Sequence, residues 1–138
     1  MSVWVQSEHG DWDIALELGV HHEKRVRALF EGDDGTIEVK ADQMWHTTGN
    51  VAVEYRFRGK PSGLSSTKAK WWCVVLTNKD DPKQSDMIIL WETKKLKKHL
   101  RSMMHGLRKV SGGYGQASRL LLVPLKEFIP LPRQTLAG

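Results

Sequence analysis

The chain has 138 residues, room for one domain with its own core. Hydrophobic content of 40% and charged content of 27% exclude a disordered or membrane-class composition, and no run reads as a membrane span or a secretory leader. The formal charge of +5 favours a polyanionic partner, and a single cysteine, Cys73, excludes an internal disulfide, which fits a cytosolic compartment.

In chain order, Asp11 to Gly19 reads as a short strand, because Ile14, Leu16 and Leu18 alternate with Asp13, Ala15 and Glu17. Val20 to Phe30 reads as a helix, with Val26, Leu29 and Phe30 on one face and Gly32 as its stop. Glu23 then falls near the apolar side of that helix, an expensive place for a carboxylate without a partner. A competing reading makes Glu23 to Glu31 a strand in a hairpin that turns at Gly32-Asp33-Asp34-Gly35. Thr36 to Asp42 is a strand. Its Ile37 and Val39 face the core, and Glu38 and Lys40 share the other face. A polar loop through Gly49-Asn50 leads to a strand over Val51 to Arg58. Val51, Val53, Tyr55 and Phe57 point one way there, and Ala52, Glu54, Arg56 and Arg58 the other.

Gly59 to Gly63 is a turn by composition, and Leu64 to Lys70 is expected to be a short helix capped by Ser62, Ser65 or Ser66. Trp71 to Thr77 and Met87 to Glu92 read as strands joined by a polar turn. Cys73 lies inside the first of them as a small buried residue. Thr93 is placed to cap a basic helix over Lys94 to Leu107, whose apolar stripe is Leu96, Leu100, Met103, Met104 and Leu107. Ser111 to Gly115 is a loop. Leu120 to Val123 is a last strand closed by Pro124, and the tail from Pro130 is expected to fray. The interleaving of strands and helices predicts a single α/β or α+β domain over residues 1–138, with a mixed central sheet flanked by helices.

The chemistry concentrates between Thr36 and Trp71. A carboxylate beside an ammonium on one strand face offers a hard ligand for a divalent cation and a positive charge for a phosphate. Basic residues gather elsewhere. Lys94, Lys95, Lys97, Lys98, Arg101, Arg108 and Lys109 run without an intervening acid. Lys60, Ser62, Ser66, Thr67 and Lys68 surround an expected helix start, a place that binds phosphate readily. Some of the six tryptophans belong to the core, and any near a site can stack on bases or sugars. The six histidines lack zinc-like spacing, and His21-His22 diverge on any regular element.

Ile37-Glu38-Val39-Lys40-Ala41-Asp42 resembles the central strand of PD-(D/E)XK nucleases. Thr48 to Tyr55, Gly59 to Leu64 and Thr67-Lys68-Ala69 resemble small phage and prophage nuclease-like proteins of that superfamily. The resemblance extends more loosely to Asp13 to Gly19, to Glu23 and to Val123-Pro124-Leu125. It implies a restriction-endonuclease-like core and divalent-cation-dependent hydrolysis of DNA, with Mg²⁺ or Mn²⁺ as cofactor. By the same resemblance, Glu38 is a metal ligand, Lys40 holds the attacking water or the scissile phosphate, and Glu23 is the helical acid of the site. The first acid of the motif has several candidates, Asp34, Asp42 and Glu54 ahead of Asp13. Lys70 departs from the pattern, since relatives carry an acid there. The implied setting is the cytoplasm of a phage-infected or prophage-bearing host, with DNA as partner and no membrane. A homodimer would suit cleavage of both strands. The alternative reading is a nuclease-fold DNA-binding module without catalysis.

Overall fold

The computed structural model describes residues 9–29 and 36–130. Asp33, Asp34 and the tail from residue 131 lie outside them. The elements run α1 (His9–Leu29), β1 (Ile37–Asp42), α2 (Trp45–Thr48), β2 (Asn50–Phe57), β3 (Lys60–Pro61), β4 (Trp71–Thr77), β5 (Ser85–Glu92), α3 (Thr93–Met103), β6 (Arg108–Gly112), β7 (Ser118–Pro124) and α4 (Leu125–Phe128). This is an α+β arrangement. Its strands form two sheets rather than the single mixed sheet expected: a three-stranded sheet ordered β1-β4-β5 and a four-stranded sheet ordered β3-β2-β7-β6. Among the described residues only the β1/β4 pair is parallel.

The strand expected over Asp11 to Gly19 belongs instead to α1, and the competing hairpin reading of Glu23 to Glu31 fails for the same reason. Ala15, Leu16, Glu17 and Leu18 are strong helix formers. Among the residues of α1 whose burial is described, Leu18, Gly19, His22 and Val26 are buried, a stripe at helical spacing. A histidine at the middle of that stripe hid the helical period. The imidazole donates from Nε2 to the Pro82 carbonyl at 2.7 Å, and His21 and Arg25 both reach the Lys83 carbonyl at 3.0 Å. α1 is thereby pinned to the β4–β5 connection.

The β1/β4 register pairs Glu38 with Trp72, Lys40 with Val74 and Asp42 with Leu76. Trp72, Val74 and Leu76 join the larger core, together with Val51, Val53, Leu121 and Val123 of the second sheet and Leu96, Leu100 and Phe128. The alternate residues, Ile37, Val39, Cys73 and Val75, pack with Val26 of α1 in a second cluster. β1 is thus covered on both faces, and its charged residues cannot all face water. Burial pushes the Cys73 thiol up to about 12, as suits a packing residue.

The remaining differences are local. A bulge between Glu54 and Arg56 breaks the β2 alternation, and Phe57 ends 42% exposed. The helix expected over Leu64 to Lys70 is only a 3₁₀ turn at Gly63–Ser65, without a side-chain cap. Thr93 begins α3 rather than capping it; Glu92 is the cap residue, and the Thr93 hydroxyl is buried without a partner among the described residues. α3 ends at Met103, short of the expected Leu107, and a 3₁₀ turn at Met104–Gly106 follows; Leu96 and Leu100 pack in the core as expected, with Met103, Met104 and Leu107 beside them. β6 and α4, which the sequence reading omitted, flank β7.

Gly63 is held at φ +54°, and a Cβ there would collide with the Glu54 carbonyl. Gly49, at φ +73°, faces open space. Gly63→Ala is expected to cost about 2 kcal/mol or more, and Gly49→Ala about 1 kcal/mol, in urea unfolding. Equal costs would show that the β2 contact does not constrain Gly63.

Burial holds the His22 imidazole below its ordinary value of 6.5; the charges of His21 and Arg25 act in the same direction, and the Pro82 hydrogen bond opposes them. The folded chain therefore takes up this proton less readily than the unfolded one. Its contribution to stability is complete above pH about 6.5 and is lost as the pH falls through the folded value. The urea midpoint should drop between about pH 7.5 and 5.5, and His22→Gln should remove part of that slope. An unchanged slope in His22→Gln would contradict the assignment.

Candidate active site

Glu38 and Lys40 lie on one face of β1, as the strand alternation predicts. Lys40 Nζ is 3.9 Å from Glu38 Oε1 and 5.5 Å from the centroid of the Trp72 ring. The Lys40 side chain is only 11% exposed, whereas that of Glu38 is 33% exposed. The ammonium is thus held against an indole face with a carboxylate at the outer end. A lysine kept this far from water is worth more to an approaching anion than a surface lysine, because less solvent screens it.

Lys40 also lines a small recess between the two sheets, with Asp42, Ala52, Glu54 and Trp72. Glu54 comes from β2, and its Oε1 accepts a 2.6 Å hydrogen bond from Ser118 Oγ on β7. The close approach of Gly63 to the Glu54 backbone fixes this part of β2 from the other side. Neither Ser118 nor Trp72 was legible as a site residue; Trp72 reads as one more member of an apolar run, and Ser118 sits far off in sequence.

Asp42 is 3% exposed, and both of its oxygens are engaged. Oδ1 accepts from the Met44 amide at 2.9 Å, and Oδ2 from the Ala52 amide at 3.1 Å. It fastens the end of β1 to β2 and turns the chain into α2. Burial raises its carboxyl above the ordinary 3.8, and amide hydrogen bonds from Ala52, Met44 and Trp45 pull in the opposite direction.

The other expected acids are placed differently. Glu23 is paired with Arg27 at 3.0 Å, and Arg27 Nη2 donates to the Ile37 carbonyl at 3.1 Å. α1 packs on the Ile37/Val39 face of β1, and Glu23 is not among the residues that line the recess. Asp34 lies outside the described residues, as does the side chain of Asp13. Among the described residues, no three His, Cys, Asp or Glu side chains converge as a metal-binding group. His21 and His22 stand edge to face and are tethered to different carbonyls.

The expected phosphate-binding segment lacks its helix N-terminus, because only the 3₁₀ turn forms. Lys60 and Lys68 are exposed, as is Ser66. The Thr67 hydroxyl accepts from the Ala69 amide, and the Ser62 hydroxyl is buried without a partner among the described residues. The fold nevertheless brings this segment to the basic helix. Ser65 lines a cleft of about 220 Å³ together with Lys97 and Arg101 of α3. The two stretches singled out for backbone contact thus share one side of the molecule.

Comparison with known proteins gives no matching family model, no matching curated protein and no matching solved structure. No helix among the described residues is long and apolar enough to cross a membrane.

Asp42→Ala should cost about 2 kcal/mol or more in urea unfolding, since it strands the Met44 and Ala52 amides. An Asp42→Ala protein as stable as the parent would contradict the fastening role.

Proposed function

We propose that the chain is a divalent-cation-dependent DNA endonuclease of the PD-(D/E)XK type, with Glu38 and Lys40 at its centre. The observation that carries this reading is the juxtaposition of Lys40, nearly buried against Trp72, with Glu38 on its open side and Glu54 in the same recess. A solvated ion pair has no need of such a setting. A parallel β1/β4 pair with the acid and the lysine on β1 supports a restriction-endonuclease-like core.

The donor set fits Mg²⁺ or Mn²⁺, since Glu38 and Glu54 offer carboxylate oxygens alone, and such ions need only one or two protein carboxylates. When bound, the cation supplies Lewis acidity and an activated water. The chain's own residues do the rest. Lys40 places its charge where the phosphate gains negative charge as the water oxygen bonds to phosphorus and the ester oxygen departs. Trp72 and Val74 keep bulk water from the inner side of the recess, and Ser118 orients Glu54. Lys97 and Arg101, with the exposed lysines of the 60–68 segment, suit contact with the sugar-phosphate backbone. One recess cuts one strand, so paired copies would serve double-strand cleavage.

A second reading is a DNA-binding module without catalysis. It is favoured by the engagement of both Asp42 oxygens with amides and of Glu23 with Arg27. Nicking of supercoiled plasmid separates the two. Nicking with Mg²⁺ or Mn²⁺, abolished by EDTA and reduced about 100-fold or more by Lys40→Ala and by Glu38→Gln, is the expected result. Salt-sensitive binding with no cleavage in any cation would establish the second reading instead.

A further inference from the structure

Beside the recess, a furrow lies along the face of the second sheet turned away from Val51, Val53, Leu121 and Val123. Asp42 and Ala52, which wall the recess, also wall a cavity of about 460 Å³. Its floor is aliphatic, formed by the half-buried Ala52, Val110 and Leu122 around a fully buried Leu120. Register places these side chains together, since Ala52 pairs with Leu122, and Leu120 with Val110. Asn50, Arg108 and Leu122 then wall a second depression of about 500 Å³, which runs past Leu107 to Pro124 and Glu127. The recess and the two depressions are neighbours with wall residues in common.

The lining has a definite chemistry. Its floor is apolar, its rim carries the amides of Asn50 and Gln116, and the Arg108 guanidinium stands where the two depressions meet. Asn50 and Arg108 make no side-chain hydrogen bond among the described residues. Gln116 holds φ +58°, a conformation that suits glycine better, yet an amide side chain stands there at the furrow wall. Apolar floor, hydrogen-bonding rim and cation correspond to the three parts of a nucleotide: base face, base edge and phosphate. A duplex hides its base faces in the stack, so only an unpaired strand can use the floor.

We propose that this furrow holds an unpaired nucleic-acid strand next to the recess, with bases against Val110 and Leu122 and a phosphate at Arg108. The proposal rests on the nuclease reading for where the strand comes from, and it names the substrate class as DNA with an unpaired or branched segment. The test is fluorescence anisotropy in EDTA, where no cleavage occurs, with a labelled single-stranded oligonucleotide and a hairpin duplex of the same nucleotide count. The single strand should bind about ten-fold tighter than the duplex. Arg108→Ala and Gln116→Gly should each erode that preference several-fold, and Gln116→Gly should leave duplex affinity within about two-fold. Gln116→Gly relieves the left-handed backbone, so lost preference in that variant cannot come from misfolding. Equal affinity for the two probes, or an unchanged preference in both furrow variants, overturns the proposal. Strand preference without cleavage in any cation removes the nuclease reading and keeps the furrow; cleavage without strand preference does the reverse.

Discussion

Coverage of β1 on both faces is the constraint from which the rest follows. α1 closes one side through Val26 against Ile37 and Val39, and the second sheet closes the other through the core that includes Trp72, Val74 and Leu76. Three charged side chains on one short strand must then find partners or incur the cost of desolvation. Each is accommodated differently. Asp42, deepest in the fold, takes two backbone amides. Lys40 lies on an indole face and pairs with Glu38 at long range. Glu38, nearest the rim, keeps a third of its side chain in water.

On the nuclease reading, this gradient from buried anchor to open acid is what lets the strand carry chemistry. Asp42 ties β1 to β2, and that tie brings Glu54 into the same recess as Lys40. Gly63 and Ser118 then fix Glu54 from two sides. The ammonium thus sits beside Glu38 of its own strand, in a recess whose walls also include Glu54 of the second sheet. On the nuclease reading, Glu38 and Lys40 sit at the mouth of a narrow recess, and DNA contact falls to lysines and arginines around it.

Much of this was legible in the residues, and the parts that were not share a physical reason. Strands with strict alternation or continuous apolar runs, such as β1, β2 and β4, are read correctly to within a residue or so, because period two and burial on both faces leave plain signatures. The pairing of Glu38 with Lys40 across one turn of the strand follows from the same period. α1 was split wrongly because its inward stripe passes through His22, which no hydropathy pattern counts as core. The division into two sheets depends on which strands pair, a matter of long-range contacts. β6, with the polar sequence Arg108-Lys109-Val110-Ser111-Gly112, is a strand only because β7 lies beside it. The role of Asp42 was equally hidden. Its candidacy as a ligand rested on its place two residues after Lys40, whereas its two amide partners come from the loop and from β2. Trp72 and Ser118 enter the site purely through tertiary placement.

The central claim is that Glu38 and Lys40 form a cation-assisted reaction centre and not a packing motif. Anomalous diffraction from crystals soaked in Mn²⁺ addresses it most directly. A manganese peak coordinated by the Glu38 carboxylate, lost in crystals of Glu38→Gln, is the predicted result. A fully soaked crystal with no peak at Glu38, or one whose peak survives Glu38→Gln unchanged, would contradict the account.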